Sequence, residues 1–127
     1  MSLILIVEDN EKNLKLVRDV LRVKGYATIE ATNAEDGIAL ANEHKPALIL
    51  MDIQLPGMNG IDALRVLRAN PVTAGIPAIA VTASVMQQDR NLITDAGFDG
   101  YVGKPINLKE FLDAVRTALE RGKRGDA

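Results

Sequence analysis

The sequence predicts an α/β fold in which a parallel sheet of five strands is covered by helices. Short apolar runs alternate with longer stretches in which apolar residues recur every three or four positions, and this alternation is typical of repeated strand and helix units. The 127 residues have room for one domain with a single core. We therefore expect one domain over residues 1–122 and a short flexible tail over residues 123–127.

Five short apolar runs are the expected strands. The first and the third are continuously apolar, as expected of central strands that are buried on both faces of a parallel sheet. In chain order, the predicted strands are residues 3–7, 27–30, 47–51, 78–81 and 100–102.

Each predicted strand is followed by a stretch with the period of an amphipathic helix. The residues expected to face the sheet are, in chain order, Leu14, Val17, Val20 and Leu21; Ile38, Leu40 and Ala41; Ile61, Leu64 and Leu67; Met86, Leu92 and Ile93; and Leu108, Phe111, Leu112, Val115 and Leu119. Asn33, Ser84 and Asn107 are the expected caps at helix starts, while Gly25 and Gly97 are expected to end helices.

Five strands alternating with five helices are typical of the flavodoxin-like, doubly wound (βα)5 fold, whose strand order is 2-1-3-4-5. In such a sheet, ligands bind beyond the carboxyl ends of the strands, where the strand order reverses. Here the first strand is followed by Glu8 and Asp9, the third by Asp52, the fourth by Thr82 and the fifth by Lys104. These five residues should therefore converge on one small site.

Three carboxylates held together repel one another unless a positive charge joins them. Mg²⁺, or Mn²⁺ in its place, suits this set, because such ions prefer oxygen ligands such as Asp9, Asp52 and a nearby backbone carbonyl. A carboxylate can also attack phosphorus to give an aspartyl phosphate, with the metal screening the two anions. Lys104 and Thr82 are suited to contact the incoming phosphate oxygens.

Composition argues against several other classes of function. A formal net charge of −2 provides no basic field for nucleic acid, and the basic cluster Arg121, Lys123 and Arg124 is short. The absence of cysteine excludes disulfides and thiolate metal sites and fits a reducing cytoplasm. No apolar run reaches the ~18 to 20 residues of a membrane span. We expect a soluble cytoplasmic protein without direct contact to nucleic acid or membrane.

The residue pairs Glu8-Asp9, Thr82-Ala83 and Lys104-Pro105, together with Asp52, resemble the signature of bacterial response-regulator receiver domains, the CheY-like superfamily, in order and spacing. The resemblance extends over essentially the whole chain. The residues around Glu8 and Asp9 and the segment 51–56 are also similar to single-domain cell-division regulators of the DivK kind and to receivers in hybrid kinases.

The resemblance implies a role for each site residue. It makes Asp52 the phosphoacceptor, Asp9 a direct Mg²⁺ ligand, Glu8 a ligand through water, and the backbone carbonyl of Gln54 the remaining protein ligand. It assigns phosphate contacts to Thr82, the backbone of Ala83 and Lys104, a switch to Thr82 and Tyr101, and a cis peptide bond to Lys104-Pro105.

The resemblance also implies partners. A histidine kinase or histidine phosphotransfer protein would supply the phosphoryl group, as in a phosphorelay, and would dock on the first helix around Asn13, Leu14 and Val17. A downstream protein would bind the face formed by the fourth helix, fifth strand and fifth helix. Such a domain is a switch that catalyses only its own phosphorylation and dephosphorylation.

Other interpretations of the same residues remain open. Glu8 and Asp9 could merely cap a helix. An aspartate-nucleophile phosphatase usually needs a second acid two residues after the nucleophile, where this chain has Gln54. A flavodoxin-like cofactor carrier needs a phosphate-cradling loop after the first strand, where the acids of residues 8–11 would repel phosphate. A degenerate receiver would bind partners without phosphorylation.

Overall fold

The computed structural model describes residues 2–83 and 86–122. Within these ranges, five strands form one parallel sheet in the order β2-β1-β3-β4-β5. The strands are β1 (Leu3–Val7), β2 (Ala27–Ala31), β3 (Leu48–Asp52), β4 (Ala78–Thr82) and β5 (Gly100–Gly103). The helices are α1 (Glu11–Val23), α2 (Ala34–His44), α3 (Gly60–Ala69), α4 (Gln87–Ala96) and α5 (Leu108–Arg121). The predicted fold class and strand order are confirmed.

Two apolar cores lie on the two faces of the sheet, because alternate residues of a strand point to opposite sides. Ile4 and Ile6 of β1 pack with the buried residues of α1 and α5, such as Phe111. Leu5 and Val7 pack on the other face with the buried residues of α2, α3 and α4. Among the described residues, no helix is long and apolar enough to span a membrane.

Four strands extend one residue beyond their predicted ends, to Ala31, Asp52, Thr82 and Gly103. The prediction ended β3 and β4 where the apolar run ends, but ladder hydrogen bonds involve the backbone and continue into polar residues. Asp52 pairs with Val81, and Thr82 pairs with Gly103. The sheet itself therefore fixes the backbone of two predicted site residues.

Some helix residues that the sequence places against the sheet are exposed instead, namely Met86, Leu92 and Leu108. Helix α4 begins at Gln87 after Met86, which makes no side-chain cap bond, and the predicted cap Ser84 lies outside the described residues. This starting point turns Ile93 and Ala96 toward the core. Leu92 then points away, because adjacent helical residues are about 100° apart.

Asparagine side chains cap the other four helices. Asn10, Asn33, Asn59 and Asn107 each accept a hydrogen bond from the backbone N–H three residues further on. The sequence prediction included Asn33 and Asn107 but missed Asn10 and Asn59. At the helix ends, Gly25 and Gly97 have φ values of 91° and 108°, which favour glycine. The predicted tail over residues 123–127 lies outside the described residues.

Arg68, near the end of α3, joins three connections at the edge of the sheet opposite the strand carboxyl ends. Its guanidinium group donates to the backbone carbonyls of Gly97 at 3.1 Å, Ala74 at 3.1 Å and Ile76 at 2.6 Å. It also lies 3.4 Å from the carboxylate of Asp99. One side chain thus ties the end of α3 to the segments that precede β4 and β5.

We expect Arg68→Met to lower the free energy of unfolding by about 2 to 4 kcal/mol, because several part-buried backbone acceptors lose a charged donor. Urea unfolding followed by far-ultraviolet circular dichroism measures this change. The matched control is Arg65→Met, because Arg65 is an exposed residue of the same helix with a long 3.8 Å ion pair to Asp62. Equal urea midpoints for the two variants would show that the hydrogen bonds of Arg68 do not stabilise the fold.

Candidate functional site

The carboxyl ends of the central strands bring the predicted site residues to one edge of the sheet. Asp52 ends β3 and Thr82 ends β4, and both side chains are buried. Glu8 follows β1 and is also buried, and its backbone N–H donates to the carbonyl of Ala31 at 3.0 Å. The backbone N–H of Lys104 donates to the carbonyl of Thr82 at 2.8 Å. Backbone hydrogen bonds of the sheet therefore fix the Cα positions of these four residues.

Glu8, Asp9 and Asp52 form a cluster of carboxylates. One oxygen from each lies within 4.8 Å of the others, with Glu8 4% exposed, Asp52 2% exposed and Asp9 on the open side. The alternative in which Glu8 and Asp9 cap the first helix is wrong, because Asn10 provides that cap. The two acids project into a shared site instead.

Lys104 is the basic group of this cluster. Its ammonium nitrogen lies 2.9 Å from Oδ2 of Asp52 and 3.2 Å from Oε1 of Glu8. The backbone N–H of Gln54 donates to Oδ1 of Asp52 at 2.9 Å. Both carboxylate oxygens of Asp52 therefore accept a hydrogen bond. The peptide bond between Lys104 and Pro105 is cis.

The two buried acids have pKa values that move in opposite directions. Burial, and then the neighbouring Asp52, raise the pKa of Glu8 to about 7. Burial alone would also raise the pKa of Asp52, but Glu8, the Gln54 N–H and Lys104 together hold it below its ordinary value. Burial disfavours the charged form of Lys104, yet Asp52 and Glu8 outweigh this effect and raise its pKa. Asp52 is therefore ionised at neutral pH, whereas Glu8 is then close to its pKa and only partly ionised.

The donor set fits a hard divalent cation such as Mg²⁺. Among the described residues, Oε2 of Glu8 is a buried oxygen without a hydrogen-bond partner. Three acids face one lysine, so negative charge is in excess, and the acid side chains offer only oxygen. Burying an oxygen without a donor costs free energy, and a cation or its bound water would satisfy it.

Tyr101, the predicted switch residue, lies away from this cluster. This residue of β5 is 38% exposed, and the guanidinium carbon of Arg90 on α4 lies 5.4 Å from the centre of its ring. That distance is typical of a cation–π contact. The sequence prediction missed Arg90, because helical spacing alone does not show which residue of α4 meets the neighbouring strand. Ala83 follows the end of β4 and is exposed.

The predicted docking surface on the first helix is partly wrong. Leu14 and Val17 are buried in the core between α1 and the sheet, because they belong to the apolar stripe of that helix. They cannot form a surface for another protein. The neighbouring Leu16 is 39% exposed and points outward from α1.

The doubly wound sheet and the acids, threonine and lysine at its carboxyl edge define a signalling receiver domain as the class of this protein. Residues 4–116 match the family model of the response regulator receiver domain, and the chain belongs to that family. The resemblance predicted from the sequence is confirmed.

The chain is 42% identical over 116 residues to the polar-differentiation response regulator DivK of Brucella anthropi, covering 91% of this chain and 94% of the relative. A similar structure is the receiver domain of the sensor histidine kinase PA1611 from Pseudomonas aeruginosa, crystallised with a magnesium ion in its active-site cleft. It has a TM-score of 0.87 and 31% identity, covering 94% of this chain and 98% of that one. A CheY-like receiver protein of Methanospirillum hungatei has a TM-score of 0.88 and 29% identity, covering 95% of each chain.

The raised pKa of Glu8 makes the stability of the metal-free protein depend on pH. Because the folded pKa of about 7 exceeds the ordinary value of 4.5, the folded state binds the proton more tightly than the unfolded state. This stabilisation is fully present below pH 4.5 and is lost as the pH rises through about 7. We expect urea unfolding in EDTA to show this loss, and a Glu8→Gln variant to show a flatter profile. The same slope in both proteins would contradict the assignment.

Proposed function

We propose that the protein is the receiver of a two-component signalling system, in which Asp52 accepts a phosphoryl group and the product changes protein binding. The observation that carries this proposal is the state of Asp52. It is a buried carboxylate with a lowered pKa, 2.9 Å from the ammonium group of Lys104 and within 4.8 Å of two further acids. A carboxylate in that state is a competent nucleophile.

Mg²⁺, or Mn²⁺ in its place, would be held by Asp9, Asp52 and the backbone carbonyl of Gln54, with Glu8 acting through a bound water. When bound, the ion screens the repulsion between the Asp52 carboxylate and the incoming phosphoryl oxygens. The support for this assignment is the excess of negative charge and the unpaired Oε2 of Glu8 among the described residues.

In the proposed step, an Asp52 oxygen attacks the phosphorus atom of a phosphohistidine on a kinase or phosphotransfer protein. The new O–P bond forms while the P–N bond breaks, and the imidazole nitrogen keeps the electron pair. Lys104 stabilises the charge on the transferred oxygens. Thr82 and the backbone N–H of Ala83 donate to the same oxygens once the group has arrived.

The output of the switch would be binding through the α4–β5–α5 face. Thr82 moves toward the phosphoryl group and Tyr101 follows, so that this face changes shape. Exposed apolar side chains support the choice of surface, since Met86, Leu92 and Leu108 lie on or beside α4 and α5. The domain catalyses only its own phosphorylation and dephosphorylation.

We assign the protein to the cytoplasm.

We further propose that the receiver occupies residues 1–122 and that residues 123–127 form a flexible tail. Similarity to DivK along 91% of the chain supports the first assignment. Similarity to the receiver domain of a sensor histidine kinase is compatible with the same role in a phosphorelay.

The experiment that tests the proposal is intact-mass spectrometry after incubation with acetyl phosphate, with and without Mg²⁺. We expect a single phosphoryl adduct that requires Mg²⁺ and is absent in Asp52→Asn. Asp9→Ala should also lose the adduct at millimolar metal, because a direct ligand is gone. A folded protein that takes no adduct and does not bind beryllofluoride would be a receiver fold that binds partners independently of phosphorylation.

If the phosphodonor protein docks on α1, a substitution on that helix should slow transfer from a phosphohistidine protein but not labelling by acetyl phosphate. We expect Leu16→Asp to slow phosphoryl transfer from a phosphohistidine protein by about tenfold or more, since a charge then replaces an exposed apolar contact. Acetyl phosphate needs no docking surface, so labelling with it should be unchanged. The control is Val66→Asp, an exposed apolar residue of α3 on the opposite face of the sheet. Equal transfer rates for the two variants would exclude α1 as the docking surface.

A further inference from the structure

The turn from β3 into α3 brings helix and strand backbones into direct contact. Gly60 is the first residue of α3, and its N–H donates to the carbonyl of Ile53 at 3.0 Å. A Cβ atom on Gly60 would overlap the carbonyl oxygen of Asp52. It would also lie 2.9 Å from Cα of Ile53 and 3.0 Å from the carbonyl carbon of Asp52. All three are backbone atoms, which cannot move aside as the end of a side chain can.

The need for glycine at this position comes from the contact and not from the backbone conformation. Gly60 does not have the positive φ found at Gly25, Gly57 and Gly97. Glycine in a helix is otherwise unfavourable relative to alanine by about 0.5 to 1 kcal/mol. Helix propensity alone would therefore favour alanine at this position, but the peptide group that follows Asp52 leaves no room for its Cβ atom.

The same peptide is held from its other side. The N–H of Ile53 donates to the carbonyl of Val81 at 3.0 Å, so the backbone after Asp52 lies between β4 and the first turn of α3. The next N–H, from Gln54, holds Oδ1 of Asp52. A shift of this peptide therefore changes the direction of the carboxylate relative to Lys104.

We propose that Gly60 is a positioning residue for phosphoryl transfer, because its missing side chain lets α3 press on the Asp52–Ile53 peptide and aim the Asp52 carboxylate. The inference rests on the proposed function, since it concerns how fast Asp52 accepts the group. Misplacement of a reacting group by about 1 Å can cost about 100-fold in rate.

The test is the rate of phosphorylation by acetyl phosphate at saturating Mg²⁺, expressed per folded molecule. We expect Gly60→Ala to be slower by about 10- to 100-fold. Two controls separate positioning from crowding. Gly37→Ala places a Cβ 2.8 Å from a methyl group of Val7, which is a side-chain contact, and Gly100→Ala adds a Cβ with nothing within 4 Å. Gly37→Ala should lose stability in urea unfolding, yet both controls should keep the rate of the unaltered protein.

A second pair of variants applies if Gly60→Ala does not fold. Asn59→Ala removes the cap of α3 without adding an atom near Asp52, and Asn33→Ala removes the matching cap of α2. Both lose about 1 kcal/mol of stability, but we expect only Asn59→Ala to slow labelling, because only α3 presses on Asp52.

The role of Gly60 would be overturned if Gly60→Ala were labelled as fast as its two glycine controls. Where Gly60→Ala does not fold, the same conclusion would follow if Asn59→Ala were labelled as fast as Asn33→Ala. Failure of the unaltered protein to take the phosphoryl group would instead overturn the proposed function itself.

Discussion

The ion pair between Lys104 and Asp52 is the interaction on which the geometry of the carboxyl edge depends. An isolated carboxylate buried at the end of a central strand costs several kcal/mol, and the ammonium group 2.9 Å away offsets that cost. Lys104 reaches this position because its own N–H continues the pairing of β5 with β4, by donating to Thr82. The charge of Asp52 in a central strand therefore depends on correct pairing of the edge strand β5, although the two residues are far apart in sequence.

Most of the fold and the membership of the acidic cluster could be predicted from sequence. Both follow from one-dimensional patterns, since apolar runs define parallel strands and parallel strands bring their ends together. The errors arose where a three-dimensional fact was needed. The apolar periodicity places Leu92 in the core, whereas the structure exposes it, because the start of α4, which sets the rotation of the helix, has no side-chain cap to mark it. The sequence does not show why position 60 needs glycine, because the contact of Gly60 with Asp52 depends on the path of the intervening loop.

The two cores give the domain two independent sides. Alternate residues of β1 contribute to different cores, so α1 and α5 pack on one face while α2, α3 and α4 pack on the other. A protein docked on the outer side of α1 would not cover α4. The site lies at the edge that the two faces share, so the proposed donor surface on α1 and the α4 side of the proposed target surface can both be close to it, while α5 of the target surface lies on the same face as α1. This arrangement suits a switch that receives from one protein and signals to another.

The acidic cluster is electrostatically unfavourable, and this is what a binding switch requires. One lysine faces three acids, Glu8 has a pKa near 7, and within the described chain its Oε2 has no donor. A ligand shifts an equilibrium only when it interacts differently with the two states. A bound cation and phosphoryl group would pair with the acids and the lysine of this cluster, whose charges are not balanced without them. The binding free energy gained in this way would be available to favour a second conformation. The route outward is short, because Thr82 pairs with Gly103 of β5, two residues beyond Tyr101.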